Sequence, residues 1–350
     1  MAYTAIDKGL NFFQPVNYEG TVSGAKTVTG MGFQPAMIWF KQFDTTRSWV
    51  NINAASGVDK AIQFDSVAAE HTNANYLASF DSGGFTTGAT QDNGTNTSGG
   101  NYMAYSWKGG TTSGITTDGS TTITPSAYNF DASSGMSVVQ FAGNETSGAK
   151  VAHGLGKVPT MMILKALTGT NSGSNGWNVY HQGMGNTNYL FMNNADAATS
   201  ATNRWNDTTP DTVNFTLGSS DAVNVADGNM IAYVFADVKG FSKYGYYEGN
   251  GNVDGAFVYT GFKPAMVAIK NMDISDSWRL FDNTREGYNP ENDYVYCNSS
   301  SGQSSDNFFE FCSNGFKLRK TDDVNAANTY IYMALGQSIV ADNGVIATAF

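Results

Sequence analysis

One short phrase is written three times in this chain. GFQPAMIWFK occupies residues 32–41, GKVPTMMILK residues 156–165 and GFKPAMVAIK residues 261–270. Around Pro35, Pro159 and Pro264, a glycine stands three residues before (Gly32, Gly156, Gly261), a methionine two after (Met37, Met161, Met266) and a lysine six after (Lys41, Lys165, Lys270). Such repetition constrains the fold strongly, because one supersecondary unit must recur and bury its apolar run in the same way each time. Glycine permits a turn. Proline fixes φ and has no N–H to give, so it marks the start of a strand rather than its middle. AMIWFK, TMMILK and AMVAIK then read as short buried strands bounded by turns. The lysine is expected to mark the return to water, with its stem lying on apolar neighbours.

Further echoes keep the same order. VNYEG (16–20), VQFAGN (139–144) and GYYEGN (245–250) precede the phrase. Trp49, Trp177 and Trp278 follow it in RSWVNI, GWNVYH and SWRLFD, where the indole is expected to cover the same core. Then come GFTTG (84–88), NFTLG (214–218) and GFKLR (315–319), and each copy closes on YMAYSW (102–107), MIAYVF (230–235) or YIYMAL (330–335). Each copy offers short strands separated by Gly, Asn, Asp and Ser, the pattern of a sandwich. The expectation is an all-β chain of three related β-sandwich modules, jelly-roll or lectin-like, in tandem. They follow an N-terminal arm at 1–15 and occupy 16–108, 136–243 and 244–336. Residues 109–135, rich in Gly, Ser and Thr, read as a linker whose Ile115, Ile123, Tyr128 and Phe130 could lie along a neighbouring module. Residues 337–350 form a C-terminal tail that docks on its own fold or on a neighbour. The best helical candidate is SVAAEHTNANYL, 66–77.

Composition narrows the functional classes. The formal charge is −11, with 19 Lys plus Arg and 14% charged residues, and no basic cluster stands out. A phosphate-binding groove needs such a cluster, so nucleic acid is not an expected partner. No apolar run approaches the roughly 18 residues of a membrane-spanning helix, and the first residues lack the regions of a signal peptide. Cys297 and Cys312 are the only cysteines. They read as two core thiols, with a cross-strand disulfide as the alternative, and build neither a disulfide framework nor a zinc site.

Catalytic and metal-ligating patterns are sparse. The three histidines are His71, His153 and His181. His153, in VAHGLG just before a strand, reads as a turn residue, and His181, in WNVYHQ, as a structural residue or a ligand contact. Glu291 and Asp293 come nearest to a carboxylate pair, but they lie in a turn-like NPEND and do not make a glycosidase. DAVNVADGN (221–229) and TDDVNAANT (321–329) resemble calcium loops only loosely and read as hairpins. Neither a catalytic group, a metal nor a cofactor is expected. Trp205, in NRWNDTTPD, has no counterpart in the other copies, and is therefore the candidate platform for stacking a sugar ring.

These phrases resemble a repeat family of structural proteins encoded by tailed bacteriophages, many of them infecting marine bacteria. The similarity rests on GFKPAMVAIK, YYEGNGNVDGAFVYTGF, SNGFKLRKTD, NAANTYIYMALGQ, RWNDTTPD and VFADVKGFSKYGYYEGNG. It runs from about residue 16 to the end and is strongest over 150–336. The first module lacks the glycine-asparagine opening, and MALGQ replaces the commoner acidic ending. The resemblance implies a non-enzymatic virion protein, assembled in the host cytoplasm: a tail-fibre, spike or host-attachment subunit, or a capsid decoration. It implies a homo-oligomer, with a trimer as the first expectation. Its partners would be other virion proteins, with host surface glycan as a further ligand.

Overall fold

The computed structural model describes residues 4, 6, 8–21, 23–90 and 94–339. They form an all-β structure of several antiparallel sheets. Helical turns are short, as at Thr202–Trp205 and Asp221–Asn224, and among the described residues no helix is long and apolar enough to cross a membrane. The expected helix at 66–77 is absent: His71–Thr72 is a short strand and the next begins at Leu77.

Four strands recur in one order. The opening strands are Phe13–Glu19, Met136–Ala142 and Ser242–Glu248. The proline strands are Pro35–Gln42, Met161–Ala166 and Phe262–Asn271. The tryptophan strands, each starting just after its Trp, are Val50–Asn53, Asn178–His181 and Arg279–Asp282. The closing strands are Asn101–Lys108, Asn229–Phe235 and Thr329–Ser338. In all three segments the spatial order is opening, closing, proline, tryptophan. The register agrees as well. Met37, Met161 and Met266 face Trp107, Phe235 and Leu335 on the closing strand, and Asn53, His181 and Asp282 on the tryptophan strand. Pro35 and Pro264 lie next to a bulge just before the methionine, where a missing N–H leaves no gap in the ladder. Pro159 stands two residues ahead of its strand's first residue, Met161.

Each segment also has an outer strand (Thr27–Val28, Ala149–Ala152, Phe257–Tyr259) paired with a return strand (Gly84–Thr87, Asn214–Leu217, Gly315–Leu318). These pack over one face of the segment's main sheet. The proline strands therefore bury both faces, which is why they read as continuous apolar runs. Ile38 and Phe40, Met162 and Leu164, and Val267 and Ile269 point into three separate cores under the outer strands. The alternate residues Met37 and Trp39, Met161 and Ile163, and Met266 and Ala268 point into one further core that all three segments share. The sequence suggested that each copy fills an interior of its own; half of each proline strand instead fills a common one.

Residues 109–135 belong to the second segment rather than forming a free linker. Ala127–Asp131 adds a strand beside Met136–Ala142, and Ile123 makes a parallel bridge to Val151. Ile123 is 9% exposed and joins the second segment's core. Gln337 to Ile339 are the only described part of the 337–350 tail; residues 340–350 lie outside the description.

Candidate functional site

The repeated residues turn out to build the seams between segments. Each tryptophan is fully buried and donates its indole N–H to a backbone carbonyl of another segment. Trp49 donates to Tyr296 at 2.9 Å, Trp278 to Phe191 at 2.9 Å and Trp177 to Gln63 at 2.8 Å. The direction is cyclic: first segment to third, third to second, second to first. Three backbone bonds repeat the cycle. The carbonyls of Phe43, Met272 and Leu167, each eight residues past its proline, accept from the N–H groups of Gln303, Ala198 and Glu70 at 2.7, 2.8 and 3.2 Å.

The lysines differ from expectation. Lys41, Lys165 and Lys270 are 0% exposed and do not return to water. Strand continuation carries them inward, and carbonyl oxygens replace the lost hydration. Lys41 Nζ donates to Ser300 O at 3.0 Å and to Arg47 O; Lys270 Nζ donates to Asn271 O at 2.7 Å and to Ala195 O at 3.2 Å. Lys165 Nζ stays within its own segment, on Ala166 O at 3.1 Å and on Ser172 O. Burial pushes each ammonium down to about 8.

The residues facing the three methionines differ, and so do the seams they line. Asp282 is fully buried; its Oδ2 accepts from the Tyr105 hydroxyl and from Arg285 Nε, both at 2.7 Å. The equivalent of Tyr105 in the second segment is Tyr233, which meets Asn53 of the first without a well-aligned bond. In the third segment that position is Met333, which has no hydroxyl. His181, at the position of Asp282 and Asn53, accepts at Nδ1 from the Gly183 N–H at 3.0 Å, while its Nε2 faces the Tyr332 backbone without a well-formed bond. Burial pushes His181 and His153 down to about 4.

Several sequence candidates resolve into architecture. His153 Nδ1 accepts from the Leu155 N–H at 3.2 Å, as the Thr260 hydroxyl accepts from Phe262 at the equivalent turn, and Nε2 bonds Asp211 O at 3.2 Å. The loosely calcium-like stretches hold buried Asn224 and Asn325, whose side chains are consumed by backbone. Asn224 accepts from the Asn144 N–H and donates to Thr146 and Gly218 carbonyls; Asn325 accepts from the Asn250 N–H and donates to Asn252 and Lys320 carbonyls. These stretches are short helical turns rather than hairpins. Asn96 plays the same part in the first segment, accepting from the Thr21 N–H and donating to Gly24 and Gly88 carbonyls. This landmark had a sequence signal: the glycine ending VNYEG, VQFAG and GYYEG. A side chain at Gly20, Gly143 or Gly249 would strike the carbonyl of the residue after the asparagine, at 2.1, 2.3 and 2.0 Å. Cys297 and Cys312 are free thiols, and burial pushes the Cys297 thiol up to about 12. Asp293 accepts from Gln303 Nε2 at 2.6 Å; the side chain of Glu291 lies outside the described part.

Trp205 is not a surface platform. It is 0% exposed, its indole N–H donates to Asn188 O at 2.9 Å, and its ring meets Tyr180 edge-on at 5.8 Å. The physical reason lies at the opening–closing pair. The first and third segments stack Tyr18 on Tyr102 and Tyr247 on Tyr330, whereas the second has Phe141 and Met230, and its inserted loop brings Trp205 into the same core.

Among the described residues four aromatics reach solvent: Tyr246 at 61% and Tyr288 at 60% stand singly, and Phe257 and Tyr259 stand together on the third segment's outer strand. Phe257 is 47% and Tyr259 53% exposed, on one face of a strand whose Val258 is buried. Ladder register equates Phe257 with Lys150 and Thr27, and Tyr259 with Ala152 and Thr29, so only the third copy carries this pair. Around it, Lys317 pairs with Asp254 at 2.8 Å, Arg319 with Glu310 at 2.7 Å, and Lys243 Nζ donates to Tyr259 O at 2.9 Å. Sequence reasoning passed over this pair because it took FVYTGF only as part of the phrase that carries the family resemblance. Two clefts, of about 310 and 400 Å³, flank the proline bulges near Ala36 and Ala265, and neither gathers a set of reactive groups.

Residues 8–338 match the family described as Domain of unknown function (DUF7483). Neither a curated protein nor a solved structure matches the chain.

Proposed function

Because the chain belongs to the DUF7483 family, whose description names no activity, its role has to be read from its own residues, and we propose that it is a non-enzymatic structural subunit of a tailed-phage particle. In this reading the three segments are three β-sandwich modules, and the protein works by assembly with other virion proteins and copies of itself. The observation that carries the proposal is the one-way ring of indole N–H bonds from Trp49, Trp177 and Trp278. It makes a threefold arrangement inside one polypeptide and commits the repeated residues to rigidity rather than to a reaction. The resemblance of GFKPAMVAIK, SNGFKLRKTD and YIYMALGQ to phage structural repeats supplies the particle. A chain that already contains a threefold ring can stand where three one-module chains would meet; the trimer that the resemblance implies is a separate expectation, read by light scattering of the purified chain. Host-glycan recognition loses Trp205 as its platform; among the described residues the exposed aromatics left to it are Tyr246, Tyr288 and the pair Phe257 and Tyr259.

The test is localisation. An antibody raised against the chain should label purified particles produced by cells that carry the gene, at one fixed position on the head or tail. Antigen confined to the soluble fraction after lysis, with unlabelled particles, would overturn the proposal.

A further inference from the structure

The outer strands of the second and third segments are equivalent, yet among the described residues only one of them is covered. Ala149–Ala152 carries a neighbour on its free edge, supplied by the chain itself. Thr122 and Ile123 both donate their N–H groups to Lys150 O, at 3.0 and 2.9 Å, and the Lys150 N–H donates to the Thr122 hydroxyl at 2.7 Å. Ile123 bridges Val151 in parallel and sinks its side chain into the core. The sequence that does this is STTIT, extended, uncharged and β-branched.

Phe257–Tyr259 presents the same edge. Its register with the return strand places Val258 opposite Phe316, with the Leu318 N–H donating to Ala256 O and the Thr260 N–H to Asn314 O. In an antiparallel ladder that pattern turns the N–H and C=O of Phe257 away from the partner strand. Phe257 corresponds to Lys150, whose carbonyl takes the two added N–H groups. Among the described residues nothing comparable to 122–123 lies against it. One residue blunts this edge: Lys243 occupies the Tyr259 carbonyl. The open position belongs to half-exposed Phe257, with half-exposed Tyr259 two residues on along the same face, and Val253 just upstream is 62% exposed.

We infer that Phe257–Tyr259 is a docking edge for an extended, uncharged, β-branched segment of a partner protein, which adds to it in parallel as residues 122–123 add to Ala149–Ala152. This rests on the assembly reading above and names its contact surface. Backbone bonds supply the attachment and an apolar side chain at the Ile123 position supplies the anchor, as in other strand additions. The first segment's edge, Thr27–Val28, is shorter and exposes threonine in place of the aromatics.

The probe is a peptide, GSTTITP, copied from Gly119–Pro125, added to the intact chain. The expected result is saturable binding, with slowed hydrogen exchange in the segment holding Phe257–Tyr259. Phe257→Pro places its ring where the added threonine hydroxyl sits and should weaken binding at least tenfold. Phe257→Thr keeps the N–H and C=O, copies Thr27, and should weaken it only a few-fold. No binding and no change in exchange would overturn the inference, as would equal loss in the two variants, which points to side-chain stacking. Binding of oligosaccharides that competes with the peptide would also overturn it, in favour of a glycan site. Should the proline variant fail to fold, exchange in the unmodified chain and the threonine variant still decide. Unlabelled particles together with a bound peptide would sink the phage assignment alone; labelled particles without peptide binding would sink this edge alone.

Discussion

Two seams of the ring are closed by different chemistry. Between the first and second segments the closure is aromatic: Phe64 meets Trp39 edge-on at 4.6 Å and Trp177 at 4.7 Å, and Trp177 lies 5.8 Å from Tyr233. Between the first and third segments a buried carboxylate takes over, with Asp282 held by Tyr105 and Arg285. The comparison shows that the repeat fixes the backbone path and the tryptophan bond, while the residue opposite each methionine can vary: Asn53, His181 or Asp282. An aromatic seam tolerates loss of a single polar atom. A buried ion pair does not, because removing either partner strands the other in a medium that cannot solvate it.

Breaking that difference starts with Asp282→Ala, which leaves Arg285, 2% exposed at its side chain, without its carboxylate. The expected loss is about 3–5 kcal/mol, read from the urea midpoint. A loss below about 1 kcal/mol would mean the pair is not what closes the seam.

Acid titration acts on His181, at the seam between the third and second segments, and on His153, inside the second. His181 and His153 have folded values near 4 against about 6.5 unfolded, so the unfolded chain binds more protons between those limits. Stability is therefore fully present above pH 6.5 and falls as pH drops towards 4, by up to about 3 kcal/mol per histidine. His181→Asn, which copies Asn53, should remove roughly half of the combined drop between pH 7 and pH 4 in urea titrations. An unchanged drop would assign the effect elsewhere.

Tyr105→Phe against Tyr233→Phe gives the direct contrast. The first removes a hydrogen bond to a carboxylate and should cost roughly 1.5–3 kcal/mol; the second removes a poorly aligned hydroxyl and should cost well under 1 kcal/mol. Equal costs would erase the distinction between the seams. The smallest effect concerns the three lysines. Their folded values near 8 lie below the unfolded value of about 10.4, so together they should raise stability as pH climbs from about 8 to 10, against a smaller opposing fall from the single buried Cys297 thiol above about 8.5 and from the buried tyrosines above about 10. Lys165→Met should flatten that rise by about a third in melting temperatures taken at low salt.

Much of this was legible in the chain. The interval from proline to methionine announced equivalent strands, and the glycine- and asparagine-rich intervals announced an all-β fold. Continuous runs such as AMIWFK also signalled burial on both faces, although periodicity cannot say what covers the second face. That is why the shared core escaped notice. The lysines misled because a long stem with a charged head usually reaches water, whereas backbone carbonyls can replace it: distant ones across a seam for Lys41 and Lys270, local ones for Lys165. Trp205 misled for a related reason. A residue outside the repeat was taken as free of the core, but a copy lacking two tyrosines needs volume from elsewhere. Phe257 and Tyr259 were passed over because an apolar run as short as AFVY does not say which of its faces meets water.

The ring has an order of completion that the growing chain cannot escape. Trp177 can find Gln63, and Trp278 can find Phe191, soon after each emerges, because both acceptors lie upstream. Trp49 must wait for Tyr296, 247 residues downstream, so the first segment leaves the ribosome with one flank of methionine and tryptophan unpartnered until most of the third segment has been made.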